Sequence, residues 1–134
     1  MPPEPPLKRA FRLIAALSMA VVGLLHFAVP AGFVAIVPAF LPAPLLLVYV
    51  SGLFEIAGGL GLLVARVHRV AAWGLIALYV AVFPANINMA LNDIQPSGGH
   101  IPAAALWLRL PFQALFIAAA WWLSRSPAPQ RTRA

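Results

Sequence analysis

Residues 44–64 read PLLLVYVSGLFEIAGGLGLLV, and their reading decides the fold. The stretch is apolar throughout except for Tyr49, Ser51 and the one charge, Glu55. A helix rises ~1.5 Å per residue, so a run of this length covers a hydrocarbon core of about 30 Å. Three more runs of the same character lie at about 10–29, 70–91 and 102–123. Only helices or closed barrels satisfy their backbone in lipid, and barrel strands would be about half as long and alternate in polarity. No such alternation occurs. The sequence therefore predicts an all-α membrane protein, a bundle of four transmembrane helices.

Composition points the same way. Of 134 residues, 63% are hydrophobic and 9% charged. A soluble domain is about half apolar and about a quarter charged, so a soluble enzyme is excluded. Outside a membrane domain at 10–123, only two short tails remain. Residues 1–9 are Pro-rich at their start, and residues 124–134 are polar, basic and expected to be disordered. Cysteine is absent, which removes thiol, disulfide and thiolate-metal chemistry from this chain.

Basic residues set the expected orientation. Lys8, Arg9 and Arg12 precede the first span, Arg66 and Arg69 join the second to the third, and Arg125, Arg131 and Arg133 follow the fourth. The other two connections carry no Lys or Arg. The positive-inside rule then places both termini in the cytoplasm, in a multi-pass plasma-membrane protein. The net charge of +6 reflects this topology and contact with anionic lipid rather than nucleic acid. A basic start followed by residues 13–25 also has the look of a signal peptide. The run is long enough to span, and no small-residue cleavage site follows it, so a span is expected.

Prolines punctuate the spans. Pro44 and Pro102 suit first helical turns, where a missing N–H costs nothing. Pro84 and Pro111 fall inside spans three and four and should kink them, freeing carbonyls near Val80 and Trp107. Between spans one and two, residues 31–43 are apolar but too short to cross. Phe33, Ile36, Val37, Phe40 and Leu41 recur at helical spacing, interrupted by Pro38. Two readings stand: a short interfacial helix lying over the bundle as a lid, or a plain apolar loop. The glycines of span two, Gly52, Gly58, Gly59 and Gly61, allow close helix approach, within this chain or to partner helices.

Ionisable groups in lipid are costly, so each is a candidate site. Glu55 lies about 16 Å below Pro44, near mid-span. Arg109 is the intramembrane cation, so a Glu55–Arg109 ion pair is expected, with Gln113 one turn below Arg109 on the same face. Asn86, Asn88 and His26 sit toward the same outer end. Glu55, Arg109, Asn86, Asn88, His26 and Gln113 thus form the expected ligand-binding set, a polar pocket in the outer half. The inner half offers almost nothing polar beyond Ser18. A purely structural network is the competing reading. His26 is the one histidine placed for haem, where two facing ones are needed, and no metal-ligand spacing occurs.

Four stretches in order carry a family resemblance. They are residues 23–27 (GLLHF) with Pro30, 51–59 (SGLFEIAGG), 83–89 (FPANINM) and 107–113 (WLRLPFQ). Together they resemble the DoxX-like family of small four-helix membrane proteins, over residues 11–122. That family takes its name from the small membrane subunit of a thiosulfate:quinone oxidoreductase. The resemblance implies a redox-associated accessory subunit with a quinone-like ligand, and it maps recurring positions onto Glu55, Asn86 and Arg109. Similar bundles occur among methylamine-utilisation accessory proteins and eukaryotic assembly factors. The cysteine pair of some redox-associated relatives is missing here. The readings left open are an accessory subunit binding a quinone or another small apolar molecule, an assembly or chaperone subunit bound to membrane partners or to a second copy, and a small transporter.

Overall fold

A computed structural model describes residues 3–95, 99–125, 127 and 129. Among these the chain is all-helical: α1 (Pro6–Ala28), α2 (Pro30–Ile36), α3 (Pro44–Gly61), α4 (His68–Leu91) and α5 (Ala103–Ser124). Four of them, α1, α3, α4 and α5, are long and apolar enough to cross a membrane. The chain is a multi-pass helical membrane protein.

Prolines start three of the helices. Pro6, Pro30 and Pro44 each occupy the first turn, where the fixed φ is already helical and no N–H is missed. They also stop what precedes them. Val29 and Val37, each followed within one residue by proline, leave the helical region and end α1 and α2. α1 begins four residues before the apolar run does, because Pro6 nucleates it through Lys8 and Arg9. Part of the expected tail 1–9 is thus helix. The expected disordered tail at 124–134 lies largely outside the described residues. Pro84 and Pro111 sit inside α4 and α5, both of which continue through them.

α1 packs along α3, α3 against α4, and α4 along α5. The start of α1 and the end of α5 lie at one end of the bundle. There Phe11 meets Trp122 edge-on at 5.8 Å, and Lys8 Nζ stands 4.5 Å over the Trp122 ring. Leu62, Ala72, Leu75 and Leu123 form the core near this terminus end. Ile36, Met89, Ala90 and Leu106 form a second core at the opposite end. Because Ile36 belongs to it, α2 is seated on the bundle rather than looped away. Of residues 31–43, those up to Ile36 form a two-turn helix over that end, as the lid reading expects, while 37–43 are a non-helical connection with Phe40 exposed, as the loop reading expects.

Lipid tails are as apolar as leucine, so packing and hydrogen bonds, not hydrophobic burial, hold such a bundle together. The glycines supply the packing. A Cβ at Gly59 would meet Met19 Cβ at 2.8 Å, at Gly58 Leu75 Cδ2 at 2.6 Å, and at Gly61 Ala71 Cβ at 2.7 Å. The small residues of span two are thus spent within the chain. The outward faces are apolar, with Ile14, Leu17 and Leu24 about 60% exposed. Patches this large are stable only against lipid or a partner.

Candidate functional site

The site is set by two glycines. A Cβ at Gly52 would stand 2.6 Å from His26 Cβ and 2.8 Å from Gly23 O, and one at Gly23 would stand 2.8 Å from Gly52 O. Only glycine at both positions lets α1 and α3 come this close. Three residues beyond each glycine, on the same helix face, stand His26 and Glu55. Glu55 Oε2 lies 3.4 Å from His26 Nδ1, with both side chains nearly buried. His26 Nδ1 also donates to Val22 O at 2.8 Å. A carbonyl only accepts, so Nδ1 carries the hydrogen and gives it to Val22 O, with the Glu55 carboxyl beside it at ion-pair distance. Nε2 has no hydrogen-bond partner among the described residues.

An aromatic ring covers the imidazole. Phe33 of α2 stacks on His26 with centroids 3.8 Å apart and planes 22° from parallel. Phe27 stacks on Tyr49 beside it at 5.2 Å. Asn88 Nδ2 donates to Ile36 O at 2.9 Å and so pins the end of α2 to α4. Asn92 Nδ2 in turn donates to Asn88 Oδ1 at 2.7 Å.

The remaining expected residues gather elsewhere, between α4 and α5. Asn86 Nδ2 donates to Gln113 Oε1, and Gln113 Nε2 donates to Tyr79 O, one residue before Val80. Gln113 is buried, so it answers polar groups that lipid would leave unmet. Arg109 is exposed on α5 and makes one long contact, 3.5 Å from Nη2 to Asn86 Oδ1.

This corrects the expected Glu55–Arg109 pair. α4 stands between α3 and α5, so Arg109 reaches Asn86 while Glu55 turns to α1. It also corrects the expectation of an apolar inner half. At the terminus end, Arg12 is 1% exposed. Its Nη2 lies 2.6 Å from Glu4 Oε1, its Nε donates to the same oxygen at 3.1 Å, and its Nη1 donates to Leu62 O at 3.2 Å. Leu62 caps α3, so the guanidinium satisfies a carbonyl that the helix end leaves free. The sequence held one signal for this: Arg12 interrupts an apolar run between Phe11 and Leu13.

Chemically, His26 and Glu55 are a carboxyl–imidazole pair able to share a proton and to hydrogen-bond a polar head group. Among the described residues, no three His, Cys, Asp or Glu side chains are grouped to hold a metal ion.

Fold and site together define a polytopic helical membrane protein with an acid–imidazole pair between two glycine-packed helices. The chain belongs to a family described as a domain of unknown function (DUF8561), which matches residues 15–124. The matched region contains His26, Glu55, Asn86, Asn88, Arg109 and Gln113, and leaves Glu4 and Arg12 outside it. No curated protein and no solved structure matches the chain. Nothing in these matches links it to DoxX-like proteins.

Proposed function

We propose that this chain is a redox-associated accessory subunit of the plasma membrane, DoxX-like in kind and with both termini cytoplasmic. The His26–Glu55 pair takes the polar head of a quinone-like or other small apolar ligand. One observation carries the reading. A carboxyl group near mid-span has an imidazole as its one ionic partner among the described residues, and that imidazole is covered by a stacked aromatic ring. A quinone head is a flat ring with carbonyl acceptors. A protonated carboxyl or an imidazole N–H answers such a carbonyl, and the flat face of the imidazole answers the ring.

The expected binding set divides its labour in this reading. His26 and Glu55 touch the head group. Asn88 holds the short helix bearing Phe33, the ring a ligand would displace. Asn86 and Gln113 fix α4 against α5, and Arg109 places a positive charge toward the lid end. The basic flanks at Lys8, Arg9, Arg66 and Arg69 support the orientation.

The test is binding of a short-chain ubiquinone and of a menaquinone to the purified protein in nanodiscs. The wild type is expected to bind one of them, and Glu55→Gln or His26→Leu to weaken it about tenfold, ~1.4 kcal/mol. Equal affinity in all three proteins, or none in the wild type, removes the reading.

Arg109 favours a second reading, a membrane assembly subunit. An exposed guanidinium on a lipid-facing helix is costly unless a neighbour answers it. A partner subunit carrying an acid would do so. Co-purification of such a partner, lost in Arg109→Leu while quinone binding is absent, would select this reading over the first.

A further inference from the structure

A cavity of about 250 Å³ opens at the terminus end, lined by Glu4, Arg9, Arg12, Leu13, Leu63 and Pro129 among others. We propose that it is a binding site for a phosphate-bearing anion, held by Arg9 with Arg12 behind it.

The charge around the cavity is unbalanced. Glu4 answers Arg12, as its 2.6 Å contact shows, and Arg9 has no ion-pair partner among the described residues. The lining therefore keeps one net positive charge. Arg12 is also incompletely used. A guanidinium has five N–H donors, and the described bonds engage one hydrogen on each of Nε, Nη1 and Nη2. Two donors of a buried group thus remain without a partner among the described residues, in a residue that lines the cavity. Leaving them so is costly, and an oxygen-rich anion would satisfy them.

The helix adds to this. α1 carries Lys8, Arg9 and Arg12 in its first two turns and no acid in its first turn. That places cations at the positive end of the helix dipole, which a bound anion would offset. The depth also suits a head group. Lys8 and Arg125 each lie 4.5 Å over a tryptophan ring, Trp122 and Trp121, as at a membrane interface. A phosphate reaches this depth as a lipid head group or from solution, and both present the same oxygens to Arg9 and Arg12.

The experiment uses the full-length protein in delipidated detergent, with native mass spectrometry as the readout. Retention of phosphatidylglycerol is compared with phosphatidylcholine, with and without millimolar inorganic phosphate. Arg9→Gln is compared with Arg69→Gln, which removes a charge at the same end outside the cavity. The expected result is preferential retention of phosphatidylglycerol, cut about tenfold by Arg9→Gln and little changed by Arg69→Gln. Competition by inorganic phosphate would identify a soluble anion as the occupant, and lack of competition a lipid; either supports the site. Equal losses in the two variants would mean general attraction to anionic lipid, ~1 kcal/mol per basic residue, and would overturn the proposal. So would equal retention of the two lipids in the wild type.

Discussion

His26 Nδ1 lies 3.4 Å from Glu55 Oε2, and no other cation among the described residues comes within ion-pair distance of that carboxyl. The pair joins α1 to α3 inside lipid, where each member would otherwise be a buried polar group without its counterpart. Removing one member should therefore be worse than its own contact is worth. His26→Leu and Glu55→Leu should each destabilise by about 1–2 kcal/mol, and the double substitution by less than their sum. Unfolding in mixed micelles, read as a double-mutant cycle, should give a coupling near 1 kcal/mol. Strict additivity would mean that the two side chains do not interact.

Behind that pair lies a backbone contact, and it predicts a contrast between glycines. Gly52→Ala places a Cβ 2.6 Å from His26 Cβ and 2.8 Å from Gly23 O, neither of which is a flexible side-chain end. The helices must part, at a cost of about 1–3 kcal/mol, and His26 should separate from Glu55. At Gly74 a Cβ meets nothing within 4 Å. Gly74→Ala should be neutral or stabilise by up to ~1 kcal/mol through helix propensity. Thermal unfolding of the two variants checks both signs, and a tolerated Gly52→Ala would contradict the packing.

The spans were legible because length and absence of charge are local properties. The proline-marked start at Pro44 was legible for the same reason, since the ring acts on its own residue and its neighbours, whereas Pro102 stands just ahead of α5 as its N-cap rather than in its first turn. Partners were not. Sequence offered Arg109 as the cation for Glu55, yet which helix stands beside which is not written in any single run. α4 intervenes, and an imidazole on α1 takes the place of the guanidinium. The missed clue was spacing: Gly23 and His26 repeat the interval of Gly52 and Glu55, so apposed glycines carry the two side chains into contact. Glu4 was harder to read, because only the fold of the Pro-rich start brings it onto Arg12.

Arg12 gives the next prediction. Its side chain is buried, binds Glu4 and answers Leu62 O at the end of α3. Arg12→Met should strand both the carboxylate and the carbonyl, and cost about 3–5 kcal/mol. Joining it to Glu4→Leu removes the stranded carboxylate and should recover much of that loss. Denaturant midpoints of the three proteins decide the matter. A double variant no more stable than Arg12→Met would mean that Glu4 contributes through packing rather than charge.

Asn88 controls the lid. Its Nδ2 donates 2.9 Å to Ile36 O, the last residue of α2, while its Oδ1 accepts from Asn92. Two turns of helix have no intrinsic stability, since nucleation is costly and propagation short. α2 therefore depends on Ile36 in the core, on Phe33 against His26, and on this bond. Asn88→Ala should cost only ~1 kcal/mol in global stability, but it should loosen α2 selectively. Hydrogen exchange should rise several-fold at amides 33–37 and stay unchanged in the centre of α4. The same variant tests how α2 and the pair are linked. If Phe33 covers His26 only because Asn88 holds the helix down, the His26 imidazole should become more reactive to an imidazole-modifying reagent such as diethyl pyrocarbonate in Asn88→Ala. Unchanged exchange and reactivity would show that the apolar seat of Ile36 suffices to hold the lid.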